Sequence, residues 1–102
     1  MQNITVDELK TRMDAGEKLN LLDVREDSER ADFHIGGMHF RLRRIQDMAI
    51  EDIEDLKGEE VICYCRTGNR SQMACLMLEH LGFTNTKNVT GGVVDWIEKY
   101  GK

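Results

Sequence analysis

The sequence predicts an α/β sandwich in which helices pack around a mostly parallel sheet. Two observations carry that expectation. Short apolar runs bounded by glycine or charge alternate with segments whose apolar residues recur at helical spacing. The alternation repeats at short intervals, as it does when helices connect parallel strands. The 102 residues read as one domain, 1–102, with no internal repeat, linker or low-complexity segment. Area scaling gives roughly 5,900 Å² of folded surface for a chain of this size, so about 65 % is buried and one core can form without staples.

Each element has its own signal. Thr5 and Glu8 form a capping box for a helix carrying Val6, Leu9 and Met13 on one face and stopping at Gly16. Leu19 to Val24 reads as a buried strand, and the charged stretch Glu26 to Phe33 as a short surface helix. Gly36-Gly37 marks a turn into a short strand from Met38 to Leu42. Ile45, Met48, Ala49, Ile53 and Leu56 fall at helical spacing in a segment closed by Gly58. Glu60 to Cys65 reads as a strand and Thr67-Gly68-Asn69 as a loop. A nearly all-round apolar helix follows through Ala74, Met77, Leu78 and Leu81, ended by Gly82. A strand near Thr86 to Val89 leads into Gly91-Gly92, and a last helix sets Val93, Trp96, Ile97 and Tyr100 on one face.

Composition excludes several function classes. A net charge of −5 argues against a general nucleic-acid partner, which would need a basic face. No run approaches the ~20 apolar residues of a membrane span, and Met1 to Lys10 lacks a signal-peptide apolar stretch. Three cysteines do not make a disulfide framework, so a reducing cytoplasm is expected. With no C-x-x-C pair and no histidine at ligand spacing, no metal is expected either.

The chemistry concentrates in Tyr64-Cys65-Arg66-Thr67-Gly68-Asn69-Arg70-Ser71. A cysteine ends a buried strand, a polar loop follows, and a helix begins at once. Ligands of α/β sheets bind outside the carboxyl ends of strands. There the sulfur would face a helix N-terminus and a curl of backbone N–H groups, with Arg66 and Arg70 adding positive charge. All three influences favour thiolate over thiol, which makes Cys65 a candidate nucleophile.

Four segments in order resemble the rhodanese family of single-domain sulfurtransferases: Leu22-Asp23-Val24-Arg25-Glu26, His34-Ile35-Gly36-Gly37-Met38, the loop Cys65 to Ser71, and Gly91-Gly92 followed by Trp96. The resemblance implies a three-layer sandwich with a mostly parallel five-stranded sheet and helices on both faces. It implies that Cys65 takes a sulfane sulfur from thiosulfate or a persulfide donor, holds it as a persulfide, and passes it to cyanide, a thiol or a protein acceptor. Backbone N–H groups of Arg66, Thr67, Gly68, Asn69 and Arg70 would cradle the outer sulfur, with Ser71 completing the site. Arg66 and Arg70 would bind the oxyanion end of the donor. No cofactor is required. The alternatives are a sulfur-relay or protein-binding module of the same family and a small phosphatase. The phosphatase is disfavoured because related enzymes hold five residues between cysteine and arginine, where Cys65 and Arg70 enclose four, and because the loop lacks an acid.

Other residues admit plainer readings. Asp23 and Arg25 are expected as a supporting ion pair at the strand end rather than as direct substrate contacts. Cys63 and Cys75 read as core, a resolving role for Cys63 being the alternative. His34 is expected to bond a backbone turn, whereas His39 and His80 carry no supporting context. Arg41, Arg43 and Arg44 read as a solvated face that could also steer anionic donors. The six methionines, Met73 and Met77 especially, read as core filler. Gly36 stands where the family commonly has proline, which predicts a loss of ~0.4–1 kcal/mol if proline would fit.

Overall fold

Residues 1–102 are all described by a computed structural model. Its five strands are β1 (Gln2–Ile4), β2 (Leu21–Asp23), β3 (Met38–His39), β4 (Glu60–Tyr64) and β5 (Asn85–Val89). They lie in the order β1-β5-β4-β2-β3, and every neighbouring pair is parallel. The helices are α1 (Val6–Asp14), α2 (Asp27–Asp32), α3 (Leu42–Gln46), α4 (Asn69–His80) and α5 (Gly92–Tyr100), with a 3₁₀ segment at Glu51–Leu56. The accessible surface is 5586 Å², close to the expectation from size. No helix is long and apolar enough to cross a membrane.

The central strand shows how the layers arise. Along β4 and into the residue that follows it, Val61, Cys63 and Cys65 join the core beneath α3 and α4, while Ile62 and Tyr64 join the core that includes α1 and α5. The period of two distributes one apolar run between two cores, as a strand covered on both faces requires. The three-layer architecture with helices on both faces is therefore as expected. The capping box is present too: Glu8 N–H donates to Thr5 Oγ1 at 3.0 Å and Thr5 N–H to Glu8 Oε1 at 3.1 Å.

Several elements differ from expectation. Gln2–Ile4 carries no strand signal in the sequence, yet its three residues pair at the sheet edge with Lys87, Asn88 and Val89. Strand β3 stops at His39, and Leu42 instead begins α3. The segment from Ile45 to Leu56 is two pieces, because Met48 takes φ 57° and breaks the turn between α3 and the 3₁₀ segment. Met48 and Met73 are 67 % and 49 % exposed, and Met1 and Met38 are also exposed, so the methionines are not general core filler. Met73 lies on the outer side of α4, whose buried face is Ser71, Ala74, Cys75 and Leu78.

Gly36 corrects a further expectation. Its φ is +100°, in the left-handed region that proline cannot enter, and its N–H donates to His34 Nδ1 at 2.9 Å. Proline would not fit this turn, so glycine is not a loss here. Gly36→Pro is expected to lower the urea midpoint, the stability lost exceeding the ~0.4–1 kcal/mol that a compatible proline would add. An unchanged or raised midpoint would show that the turn re-forms around proline. The same N–H contact gives His34 the turn-bonding role expected of it.

Candidate active site

The end of β4 places Cys65 against the start of α4. Gly68, at φ 104°, turns the chain so that its N–H donates to Cys65 Sγ at 3.1 Å. Ser71, one turn into the helix, adds its N–H at 3.4 Å and its hydroxyl at 3.3 Å. These backbone donors belong to the unpaired set at every helix start, and here a sulfur takes them. Burial pushes the Cys65 thiol up. Hydrogen bonds from the Ser71 hydroxyl and from the N–H groups of Ser71, Gly68 and Thr67 outweigh that and hold it below the ordinary thiol value.

The far side of the loop is fixed by α5. Val93 N–H donates to Cys65 C=O and Val94 N–H to Arg66 C=O, each at 3.0 Å. A peptide unit points its N–H opposite its C=O, so tying these two carbonyls to α5 turns the following N–H groups away from α5. Gly92 makes the approach possible: a Cβ there would lie 2.4 Å from Cys65 O and 2.6 Å from Arg66 O. The Gly91-Gly92 pair thus lets backbone pass against the loop, as expected from sequence.

The two loop arginines differ. The Arg66 side chain is exposed and makes no hydrogen bond or ion pair, whereas Arg70 is held bidentately by Glu29, Nη1 to Oε1 and Nη2 to Oε2 at 2.7 Å each. Arg70 pulls the Glu29 carboxyl down to about 2. With Arg70 neutralised and Arg66 in solvent, hydrogen bonds rather than guanidinium charge lead the stabilisation of the thiolate. Glu29 carries no local signal in the sequence, since its partner lies 41 residues away. Thr67 and Asn69 stand exposed on the rim and, with Gly68, Gln72 and Asn88, border a polar cavity of about 220 Å³. A second cavity, about 310 Å³, lies beside the loop between Arg66, Arg25, Glu29, Phe33, Val94 and Ile97.

Asp23 and Arg25 are buried as a pair, Nε to Oδ1 and Nη2 to Oδ2 at 2.9 Å each. Arg30 reaches the same carboxylate at 3.3 Å. His39, for which sequence offered no context, contacts Arg25 C=O through Nε2 at 2.7 Å and so braces this strand end. Cys63 and Cys75 are fully buried; the hydrogen bond to Cys75 and burial push the Cys63 thiol up, which suits core thiols. Arg43 and Arg44 pair with Asp47 and Asp52 at 3.1 Å each, and Arg41 lies 4.0 Å from Asp27, so the basic cluster is largely balanced by acids. No group of three His, Cys, Asp or Glu side chains is placed to hold a metal ion.

Comparison with known proteins points one way. The family model described as rhodanese-like domain matches residues 5–99. The candidate sulfurtransferase YtwF of Bacillus subtilis (strain 168) is 39 % identical over 98 residues, covering 94 % of this chain and 90 % of YtwF. The candidate sulfur carrier protein YrkF of the same organism is 36 % identical over 97 residues, covering 94 % of this chain but 51 % of YrkF, so the chain spans about half the length of that relative. A crystal structure of a rhodanese-like domain protein from Staphylococcus aureus superposes with a TM-score of 0.81 at 30 % identity, covering 94 % of this chain and 91 % of that one.

Proposed function

The chain belongs to the rhodanese-like domain family, and from that premise we propose that it is a cytoplasmic sulfurtransferase working through a persulfide on Cys65. The observation that carries the reading is the sulfur of Cys65 receiving the Gly68 and Ser71 N–H groups and the Ser71 hydroxyl. A nucleophile needs its anionic form, and this cup supplies it at the carboxyl end of the strand.

With thiosulfate as donor, the Cys65 thiolate attacks the sulfane sulfur. An S–S bond forms to Sγ, the donor's S–S bond breaks, and its electron pair leaves on sulfite. The negative charge then sits on the outer sulfur, within reach of the loop's N–H groups. Cyanide or a thiolate acceptor takes that sulfur, and the bonding pair returns to Sγ. Exposed, unpaired Arg66 is the group free to meet the donor's oxyanion. Arg70, committed to Glu29, orders the loop, and this also weakens the phosphatase reading, which needs a free guanidinium for phosphate. The free-thiol state of all three cysteines suits a reducing compartment.

Intact-mass spectrometry before and after thiosulfate tests the reading. The expected result is a gain of one sulfur that cyanide reverses and that Cys65→Ser abolishes. No gain with Cys65 reduced and the fold intact would overturn thiosulfate as donor. A gain whose turnover fails to saturate with free thiosulfate would favour relay from a protein persulfide, a reading supported by the likeness to YrkF.

A further inference from the structure

Behind the Cys65 sulfur, one hydroxyl proton serves two acceptors. Ser71 Oγ lies 3.3 Å from Cys65 Sγ and 2.5 Å from Asn88 Oδ1, and all three residues are buried. A hydroxyl has a single proton to donate. While the sulfur is a thiol the arrangement closes: S–H donates to Oγ, and Oγ–H donates to Asn88 Oδ1. Once the sulfur is a thiolate, the hydroxyl must turn to it. Two oxygens would then face each other at 2.5 Å with no proton between them.

Turning the Asn88 amide end for end removes that conflict. It sets Nδ2 against Oγ and gives a chain of donors running Nδ2–H to Oγ–H to the anionic sulfur. The fold leaves the turn open. Asn88 Nδ2 has no hydrogen-bond partner in the protein, and the residue borders the polar cavity of about 220 Å³ beside Thr67 and Gly68. Strand register places Asn88 beside Cys63 on the face that looks toward α4, so β5 holds the side chain in position while its amide rotates.

We propose that Asn88 is a positioning residue acting through Ser71, its amide donating when the Cys65 sulfur is charged and accepting when it is neutral. The proposal rests on the persulfide reading above, in which charge leaves Sγ when the outer sulfur is taken on and returns when it is handed over. The amide turns once at each transfer, and no proton leaves the buried chain of side chains.

The other charged and titratable groups around the sulfur do not interrupt this chain. On α4, Arg70 is tied to Glu29 of α2, and Cys75 is paired with Cys63 of β4. On the β2 side Arg25 is locked to Asp23, with Tyr64 of β4 beneath its guanidinium. The loop contributes exposed Arg66. Asp95 of α5 lies against Gly91.

The test is the pH dependence of Cys65 alkylation by iodoacetamide, with Cys65→Ser as the blank. Asn88→Asp keeps the shape but can only accept from Ser71 when ionised. It is expected to raise the midpoint by about one pH unit or more, a tenfold change in the thiol–thiolate equilibrium constant. Asn88→Ala should raise it by less. In a Ser71→Ala background both shifts should vanish, because the link to the sulfur is gone. Shifts that persist there in full would mean a through-space charge or general loosening, and would overturn the proposal. No shift from either Asn88 variant while Ser71 is present would overturn it as well. If Asn88→Asp does not fold by thermal melt, Asn88→Ala carries the same cycle. Alkylation needs no sulfur donor, so this result and the thiosulfate mass gain can fail independently.

Discussion

Gly92→Ala is expected to lower stability by roughly 2–5 kcal/mol and to remove most sulfur-transfer activity in the protein that still folds. The magnitude comes from two sources. A non-glycine residue at φ 54° costs about 1–2 kcal/mol for left-handed backbone. Overpacking adds about 1–3 kcal/mol, and here the new methyl would meet backbone, Cys65 O at 2.4 Å and Arg66 O at 2.6 Å. Backbone cannot rotate aside as a side chain can. Relief requires α5 to withdraw, which lengthens the Val93 and Val94 hydrogen bonds to those carbonyls and releases the loop over the sulfur.

Gly91→Ala is the control. Its Cβ would meet Asp95, whose Cβ lies at 2.7 Å, and its φ of 78° carries the same left-handed cost, but its nearest contacts are not the loop carbonyls. Thermal denaturation and thiosulfate turnover on both variants decide the matter. Gly91→Ala losing as much turnover as Gly92→Ala would show that close approach to the loop carbonyls is not what Gly92 serves.

Much of this machinery is legible along the chain because it is local. Val61 to Cys65 is a continuous apolar run ending in a nucleophile, and the glycine and helix start that follow within a few residues define the cup. Thr5 and Glu8 announce their helix at a spacing of three. What the sequence hides is what depends on distant partners. Glu29 meets Arg70 across 41 residues, and Asn88 meets Ser71 across 17. Neither acid nor amide stands in a motif that names its partner. Strand β1 is three residues of which only Ile4 is buried, too short to show a period. The break at Met48 has no glycine to mark it, since a methionine holds the left-handed turn. Exposure of Met73 follows from the same limit: α4 is apolar nearly all round, and sequence alone does not say which side the sheet takes.

Asp23→Asn bears on the remaining supporting pair, and about 3–5 kcal/mol of stability is expected to be lost. The carboxylate accepts from Arg25 N–H at 3.1 Å, from Arg25 Nε and Nη2, and from Arg30, and it is fully buried. Replacing it leaves the Arg25 guanidinium, itself 3 % exposed, without its counter-charge. The pH dependence follows from the same contacts. Burial pushes the Asp23 carboxyl up, while the hydrogen bonds and charge of Arg25, joined by Arg30, more than reverse this and leave it below its ordinary value. A carboxyl lowered on folding stabilises fully above its unfolded value of about 3.9 and loses that contribution as pH falls through the folded one. The stability gap between wild type and Asp23→Asn in urea should therefore be constant near neutrality and begin to close below about pH 4. Glu29 and Glu60, both lowered to about 2 by their arginine partners, make both proteins less stable in the same acid range without changing the gap. If the pair only braces the strand end, the folded variant keeps its KM for thiosulfate; a large rise in KM with little change in stability would place Arg25 in contact with the donor instead.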